Sequence, residues 1–474
     1  DRNIFGQNDR DQYYTSKMGV MGLTYNQPLN KSTFFRATLA TSTTIQDANH
    51  DYLFLDKDDE GRPRVENERF VINGKTPILD YRFSETRVSA VASLNHKFSV
   101  RSTLKVGINT DLFNFKAFDS TRVFTDAANT QLGAWRSRWD ANETFVQLQP
   151  YVQWKYFLSD KLTLSLGASS LYNSINTNSF SPIEPRAGLA WDLPNRQKLT
   201  FATGLHSQLM PTYTYFYGEN LSASPGTSDL LNRDVGLTKS LHWVTGYSRL
   251  LAQNMRFLAE IYYQHLFNVP VEAAPGSSFT ILNSGSAFSR IFPGKLVNEG
   301  IGRNYGVEFT LEKFFSNSYY FLVTTSLFDS KYQANDGVWR NTDFNGRYAF
   351  NALFSKEFKI RERSRFNIGA KFAAIGGRWY GPVNAEASRA QQEIIFQDAG
   401  RNTLQFAPYR RFDIKTEYKI NRAGLTHTIA VDLVNVLGIQ NQLSLSYAPQ
   451  PDGSFIKQEY QLGFLPVFYY RVDF

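Results

Sequence analysis

Apolar and polar residues alternate with a period of two in segment after segment of this 474-residue chain. In residues 305–312, Tyr-Gly-Val-Glu-Phe-Thr-Leu-Glu, the odd positions are apolar and the even positions are small or polar. Successive side chains of a β-strand point to opposite faces, so this period predicts strands. Because the pattern persists from end to end without a linker or a low-complexity tract, it predicts an all-β fold.

Short turns and long loops alternate along the chain. Short turns are predicted at 26–32, 99–102, 159–161, 194–197, 252–255, 316–318, 361–364 and 421–424. Longer polar connections are predicted at 45–80, 116–142, 176–182, 208–233, 269–298, 331–343, 379–407 and 441–463. Short turns at one end and long loops at the other are typical of an outer-membrane β-barrel, whose strands of about 10 residues cross the bilayer at a tilt.

Soluble folds compete with this interpretation. A sandwich or a propeller also has many alternating strands, but no motif repeats at the spacing of propeller blades, and no domain boundary is visible. Aromatic residues (39 Phe, 26 Tyr and 7 Trp) crowd the strand ends beside the short turns, as in the girdles of membrane barrels. No apolar run approaches the roughly 18 residues of a spanning helix. We therefore expect a transmembrane antiparallel β-barrel.

The predicted number of strands is odd. Eight short turns join 16 strands, and the final segment 465–474 makes 17. First and last strands would then run in the same direction, whereas closing an antiparallel barrel requires opposite directions. We therefore expect residues 1–474 to form one barrel domain that lacks at least one strand at its N-terminal side.

Several motifs resemble those of the TonB-dependent outer-membrane receptors. The similarity rests on Glu184-Pro185-Arg186, Met210-Pro211, Arg411-Phe412-Asp413-Ile414 with Tyr418, the run from Asp432 to Leu437, and the final Tyr469-Tyr470-Arg471-Val472-Asp473-Phe474. The resemblance implies the last 17 strands of a 22-stranded barrel, without its N-terminal strands and plug. It implies an active import receptor in the outer membrane of a Gram-negative cell, which binds a substrate at its extracellular loops.

The same resemblance implies the partners. They are outer-membrane lipid, TonB through a missing N-terminal segment, and the barrel assembly machinery, which would read a signal formed by Tyr470, Val472 and Phe474. A surface lipoprotein is a further candidate partner. A net charge of +8 is spread without a basic run, which argues against nucleic acid.

Other functions stay open at this point. A passive porin-like channel and a secretion-associated structural barrel share the same strand pattern. The six histidines are isolated in sequence and no catalytic motif is present, so we expect neither an enzyme nor a cofactor.

Three sets of residues are candidate sites. Loop aromatics are ligand candidates because exposed rings stack on flat ligands: Trp135, Trp139, Tyr213, Tyr215 and Tyr217. Charged residues on the polar strand faces are predicted to line the lumen: Glu308, Glu312, Arg347, Lys371, Asp413, Lys415, Glu417 and Asp432. Asp56, Asp58 and Glu60 match the first half of a calcium loop, but the acid expected at the twelfth position is displaced to Glu68, so a solvated loop tip is the favoured reading.

Overall fold

Seventeen long strands form one antiparallel meander in the computed structural model, which describes residues 9–67, 69–125, 131–218, 230–286, 290–391 and 393–474. Each strand pairs with its neighbours in sequence. The strands are β1 (Arg10–Asn30), β2 (Thr33–Leu55), β3 (Ile72–Lys97), β4 (Ser102–Thr121), β5 (Arg136–Phe157), β6 (Leu162–Asn173), β7 (Phe180–Leu193), β8 (Gln197–Gln208), β9 (Thr238–Ala252), β10 (Met255–Glu272), β11 (Leu296–Ser316), β12 (Tyr319–Gln333), β13 (Tyr348–Arg361), β14 (Ser364–Ile375), β15 (Tyr409–Arg422), β16 (Leu425–Val434) and β17 (Leu465–Asp473).

Smaller elements lie in the long connections. Short strands pair within three of these connections, a further one lies beside β12, and there are three short helices. The strands are Val65–Glu66 with Arg69–Phe70, Trp379–Tyr380 with Leu404–Gln405, Gln442–Tyr447 with Ile456–Tyr460, and Trp339–Asn341. The helices are the 3-10 turns Thr212–Phe216 and Ile281–Asn283 and the α-helix Ala385–Gln391. Within the described ranges, no helix has the length and apolar character needed to cross a membrane.

The eight short turns are confirmed, and the tightest have the geometry that hairpins require. Asn317 and Ser318 form the two-residue turn between β11 and β12 with φ values of 52° and 64°. Positive φ at both central positions defines the turn type whose twist matches the flanking strands. Gly424 serves the turn between β15 and β16 at φ 77°, where a side chain would be strained.

The predicted strand length of about ten residues is wrong for the first part of the chain and for β10 and β11, which contain 18 and 21 residues. Strands β1 to β5 contain 21, 23, 26, 20 and 22 residues instead of about ten. The long connections predicted at 45–80 and 116–142 shrink accordingly to 56–71 and 122–135. Towards the loops the outer face of these strands becomes polar, as at Arg82 and Lys116, while buried apolar residues such as Phe83, Phe115 and Trp139 lie on the inner face. The apolar-outward alternation therefore ends while the hydrogen-bond ladder continues.

The two faces of the sheet differ in chemistry. Ile261 on β10 is 64 % exposed and pairs with Val307 on β11, and exposed apolar residues continue on this face. The residues predicted to face lipid follow the same alternation: Leu162, Leu164, Leu166, Val307, Phe309, Leu311, Phe366, Ile368 and Phe372. The opposite face holds the cavities described below.

The edges of the sheet run in the same direction. Sixteen antiparallel steps separate β1 from β17, so the two strands are parallel to each other. Among the described residues no hydrogen-bonded pairing joins them. The odd count predicted from the sequence is thus confirmed.

Candidate functional site: a loop-side vestibule

A packed aromatic cluster occupies the loop-side end of the inner face. The connections between β8 and β9 and between β10 and β11 fold inward and bury Tyr215, Phe216 and Ile281 against strands β3 to β5. Trp139 on β5 lies at the centre, fully buried, and its indole Nε1 donates to the carbonyl of Tyr213 at 2.8 Å. Large rings contribute most of such a cluster's stability, and here they fix the inward loops to the wall.

The predicted loop aromatics belong mostly to this cluster. The expectation of exposed rings is wrong for Trp139, Tyr215 and Tyr217, which are at most 6 % exposed, and Trp139 lies in a strand rather than a loop. Tyr213 is half-buried, and burial raises the pKa of its hydroxyl. Trp135 is exposed and lies under Arg122, 4.9 Å from its guanidinium. None of the five lines the cavity described below, and their ligand contact stays a prediction.

Asp119 at the end of β4 is a buried carboxylate with two arginine partners. It is fully buried, and its Oδ1 and Oδ2 accept from Arg138 at 2.6 and 3.0 Å. Arg290, from the connection between β10 and β11, lies 2.7 Å from Oδ2. A buried charge requires pairing of this kind, so Asp119 ties an inward loop to two strands.

Arg290 is stacked among aromatic rings. Its guanidinium carbon lies 4.0 Å from the ring centre of Tyr81, 4.8 Å from Phe83 and 5.0 Å from Trp139. One nitrogen, Nη1, is buried and has no hydrogen-bond partner among the residues that the structure describes. A planar cation with rings on its faces and an unused donor is suited to recognising an oxygen-bearing ligand.

Arg378 joins three connections on the other side. It follows β14, and its guanidinium donates to the backbone carbonyls of Ser286 and Leu443. Burial lowers the pKa of Arg378, and the neighbouring Asp343 opposes that shift. The three connections that leave β10, β14 and β16 are therefore held together by one side chain.

Asp343, in the connection between β12 and β13, is bonded to two of these connections. Its carboxylate accepts from Ser286 Oγ at 2.7 Å and from Asn402 Nδ2 at 2.7 Å, and Arg401 lies 3.5 Å away. Asp398 adds a further tie, since Ser278 donates to it from both its backbone N–H and its hydroxyl. Every bond joins residues at least 57 positions apart, so the loops support one another rather than themselves.

Between these two sides lies a cavity of about 920 Å³, which we call the vestibule. Five arginines, several aromatic rings and four carboxylates from both sides line it: Arg10, Arg138, Arg290, Arg378, Arg401, Tyr14, His50, Tyr81, Phe292, Trp379, Tyr380, Phe396, Phe406, Tyr447, Asp47, Asp343, Glu393 and Glu459. The size is typical of a cleft for a small-molecule ligand. Its chemistry, five guanidinium groups among aromatic rings, suits a ligand that presents both oxygen acceptors and flat apolar surface.

The sequence analysis missed these residues. Arg138 stands between two of the named tryptophans, which is a local signal, but Arg290, Arg378 and Arg401 are single arginines in polar loops. Only the folding of separate connections brings them to one cavity, and no spacing in the sequence encodes that.

The charged residues predicted for the lumen occupy the cavity-bearing face where they are on strands. His242 lines an inner cavity, Gly246 follows on the same face of β9 and pairs with Glu260, and Glu260 pairs with Glu308. Following the strand register from β11 through β12, β13, β14 and β15 shows which residues share this face; on it, Lys371 of β14 pairs with Asp413 of β15. Their function as a lumen lining stays a prediction.

Most of these charges are paired. Glu312 lies 2.6 Å from Arg256, Lys415 is 3.5 Å from Asp432, and Lys419 is 2.7 Å from Glu417. Asp413 pairs with Arg411 at 2.9 Å, and Ser326 Oγ donates to Glu308 at 3.1 Å. Arg347 differs from the prediction: it precedes β13 in the loop, at φ 66°, with its guanidinium over Trp379.

The candidate calcium loop is occupied by its own basic residues. Asp58 accepts from the backbone N–H groups of Glu60 and Arg62, which with the Arg62 side chain lower its pKa. Glu60 lies 2.8 Å from Arg62, and Asp56 accepts from Asn73. The described part of the chain brings together no group of three or more acidic, histidine or cysteine side chains able to hold a metal. The carboxylates are thus arranged for arginine; Glu68 lies outside the described residues.

The predicted assembly signal lies on the last strand. Tyr470 pairs with Ile429, and its hydroxyl lies 2.7 Å from Nδ1 of His427. Val472 pairs with His427, and Phe474 is fully exposed. Recognition by an assembly machinery stays a prediction.

The antiparallel meander, the short turns at one end and the long inward-folding loops at the other define an outer-membrane β-barrel. The model of the family described as TonB dependent receptor-like, beta-barrel, matches residues 1–441, so the chain belongs to that family. It is a family of outer-membrane transporters, not of enzymes. A comparison with curated proteins gives no match.

Solved structures share the fold at low sequence identity. FyuA from Yersinia pestis, a ferric yersiniabactin uptake receptor, has a TM-score of 0.64 at 12 % identity, covering 99 % of this chain and 65 % of that one. Fiu from K12 E. coli, a ferric-catecholate import receptor, has a TM-score of 0.61 at 12 % identity, covering 98 % and 65 %. FpvA from Pseudomonas aeruginosa PAO1, a pyoverdine outer membrane receptor bound to pyoverdine, has a TM-score of 0.61 at 13 % identity, covering 99 % and 63 %. The chain spans less than two thirds of the length of each.

Proposed function

We propose that this chain is the barrel of an active import receptor. It binds an oxygen-rich chelate, of the ferric siderophore class named for the structural neighbours, in the vestibule. Uptake uses energy from the TonB system, which contacts a segment N-terminal to Asp1. Residues 1–474 belong to one barrel domain, which further strands complete and a plug fills. Contact with a surface lipoprotein stays a prediction.

The unused donor of Arg290 is the observation that carries this proposal. A buried N–H group without a partner is unfavourable, and a ligand oxygen placed against Nη1 would remove that penalty. Tyr81 and Phe83 hold the guanidinium in its plane, so it loses little freedom when the ligand arrives. Charge-assisted hydrogen bonds of this type contribute about 1.5–3 kcal/mol each.

Mixed and paired charges on the inner wall favour a receptor over a passive channel. Selective pores carry rings of one charge sign, whereas this wall alternates acidic and basic residues in close pairs, such as Arg256 with Glu312. Where the charges pair in this way, on β10, β11, β15 and β16, they neutralise one another, and this part of the wall offers no net field to draw an ion through.

The test compares binding with uptake. Purified full-length protein is titrated with a panel of ferric chelates, and the fluorescence of its tryptophans reports the dissociation constant. We expect Arg290→Gln to weaken binding of the recognised chelate by about tenfold or more. Arg62→Gln, which removes an exposed arginine at a distant loop tip, is the matched control and leaves the affinity unchanged.

Uptake of the radioactive iron complex is then measured in cells with and without TonB. Dependence on TonB supports the active receptor. Equal uptake in both strains would instead show a passive channel, and wild-type affinity in Arg290→Gln would remove the vestibule from the mechanism.

A further inference from the structure

Two lysines near the short turns, Lys313 on β11 and Lys356 on β13, lie on the outward, apolar face of the sheet. Lys356 pairs with Ile368, and Lys313 continues the outward alternation of β11. Each lysine has an acidic neighbour in sequence, Glu312 or Glu357, which points to the inner face and lies beside an arginine there. At this rim of the barrel the cations therefore face outward and the acids face inward.

Both ammonium groups converge on the turn between β11 and β12. Lys313 Nζ lies 3.7 Å from the ring centre of Tyr319 and donates to Ser316 Oγ at 2.6 Å and to the carbonyls of Ser316 and Tyr319 at 2.9 and 3.1 Å. Lys356 Nζ lies 5.4 Å from the same ring and donates to the carbonyl of Asn317 at 3.3 Å. Lys313 thus has its three donors in use, whereas Lys356 makes this one bond, and in the described part of the chain neither ammonium has a carboxylate at ion-pair distance.

The β13–β14 hairpin extends past the neighbouring turn. Tyr319 directly follows the β11–β12 turn, yet it pairs with Lys356, which lies five residues before the end of β13. On the outward face of this extension Phe358 and Ile360 are 44 % and 54 % exposed. Apolar side chains therefore continue beside the ammonium of Lys356 as far as the hairpin tip.

The tip of this hairpin is basic. Arg361 and Arg363 are exposed, and among the described residues neither has a carboxylate at ion-pair distance. Glu362 between them carries the opposing charge. Together with Lys313 and Lys356 these residues have a net charge of about +3. We call this surface the rim patch, and it comprises Lys313, Lys356, Phe358, Ile360, Arg361 and Arg363.

The position of the rim patch favours a lipid as its occupant. Outward strand positions of a membrane barrel contact lipid, and short turns mark the periplasmic leaflet. Lysine and arginine near a membrane surface attract anionic lipids, and the exposed apolar side chains beside them suit acyl chains. The plug and the further strands proposed above belong inside the lumen and beside the edge strands β1 and β17, so they leave this outward surface uncovered.

We propose that the rim patch binds the headgroup of an anionic phospholipid in the periplasmic leaflet. Lys356, Arg361 and Arg363 contact the headgroup phosphate, and Lys313 adds charge behind them. The apolar side chains of the hairpin contact the acyl chains. The proposal rests on the barrel fold and not on the ligand assigned to the vestibule.

Native mass spectrometry of the full-length protein in a neutral detergent tests the proposal. The protein is mixed with equal amounts of phosphatidylglycerol, which is anionic, and phosphatidylcholine, which has no net charge. We expect the wild type to retain phosphatidylglycerol preferentially, and Lys356→Gln to lower that preference by about fivefold, which corresponds to about 1 kcal/mol for one cation. Arg361→Gln combined with Arg363→Gln should lower the preference further, whereas Glu362→Gln should raise it because the opposing charge is removed.

The matched control is Lys198→Gln. Lys198 also lies near a short turn, but it faces the lumen and is paired with Asp192 at 3.2 Å, so its loss should leave the lipid preference unchanged. Heat-modifiable gel mobility shows which variants are folded. If Lys356→Gln does not fold, the variants of the hairpin tip decide, because their side chains are exposed and not needed for packing.

Equal retention of the two lipids by the wild type, or an unchanged preference in the folded rim variants, would overturn the proposal. Displacement of the lipid by free glycerol phosphate would also overturn it, since that result would indicate a site for a soluble phosphate. Chelate binding in the vestibule is measured separately, so failure of one proposal leaves the other standing.

Discussion

Replacing Asp119 with Asn should free the Arg290 loop from the wall. Asp119 is fully buried and accepts from Arg138 at 2.6 and 3.0 Å, with Arg290 at 2.7 Å. Removing one member of a buried ion pair costs about 3–5 kcal/mol, because the remaining charges stay buried without compensation. Asn keeps one acceptor, so we expect about 3 kcal/mol.

The loss should be local. Strands β3 to β5 keep their backbone pairing in this variant, whereas the loop segment around Arg290 is attached mainly through side chains. A change of about 3 kcal/mol corresponds to roughly a hundredfold in the opening equilibrium. Hydrogen exchange followed by mass spectrometry should therefore show amides of residues 290–295 exchanging about a hundredfold faster, with β4 unchanged.

Asp192→Asn is the matched control. Asp192 is about half exposed in its pair with Lys198, and exposed pairs contribute about 0–1 kcal/mol. Unchanged exchange of the Arg290 loop in Asp119→Asn would refute the reasoning, since the carboxylate could then not be what holds the loop.

Three further predictions concern assembly, lipid contact and pH. Deleting Phe474 should lower the amount of folded barrel in outer-membrane fractions, measured by heat-modifiable mobility, without changing the ligand affinity of folded molecules; unchanged yield would reduce Phe474 to an ordinary rim aromatic. Ile261→Arg should cost about 2–4 kcal/mol if its face contacts lipid at mid-bilayer, lowering folded yield more than Gln264→Arg on the opposite face; equal yields would contradict the assignment of faces. The bidentate contact from Arg340, with nitrogen–oxygen distances of 2.9 and 2.6 Å, lowers the pKa of Asp336. The ion pair therefore stabilises the folded loop at pH values above the ordinary carboxyl range, and this stabilisation is lost as the pH falls through the lowered pKa. Pepsin should thus cut residues 334–347 of Asp336→Asn faster than wild type at pH about 4.5, and the difference should shrink as the pH is lowered further; equal rates at pH about 4.5 would exclude this contribution.

The strand pattern was predictable because it has a local physical cause. Alternation arises because the two faces of a strand have different surroundings. The positions of the turns, the odd number of strands and the outward face of each strand could therefore be predicted wherever one face is apolar, as at Val307 and Phe309. Where β1 to β5 continue past the apolar band, the outer face turns polar and apolar residues such as Phe83 and Phe115 lie on the inner face instead, so the same rule placed the strand ends too early.

The vestibule was not predictable in the same way. Its arginines come from connections far apart in sequence, and a lone arginine in a loop carries no sign of its partner. The aromatic residues of the inward loops were noticed, but as exposed rings; Trp139 and Tyr215 instead pack the layer behind the cavity. Burial of loop residues depends on whether a loop turns inward, which residue type alone does not determine.

The unequal length of the strands gives the vestibule two mechanically different halves. On one side, β2 and β3 run for 23 and 26 residues and are joined by the short connection 56–71, so that wall is a continuous hydrogen-bonded plate. On the other, β14 to β17 contain 9 to 14 residues, and the connections 376–408 and 435–464 supply the remaining height. Hydrogen bonds from the side chains of Arg378 and Asp343 link the connections of that half, and each of these bonds can break independently of the others. The vestibule therefore has one wall that backbone pairing keeps stiff and another that depends on side-chain bonds, which makes the second wall the more deformable of the two.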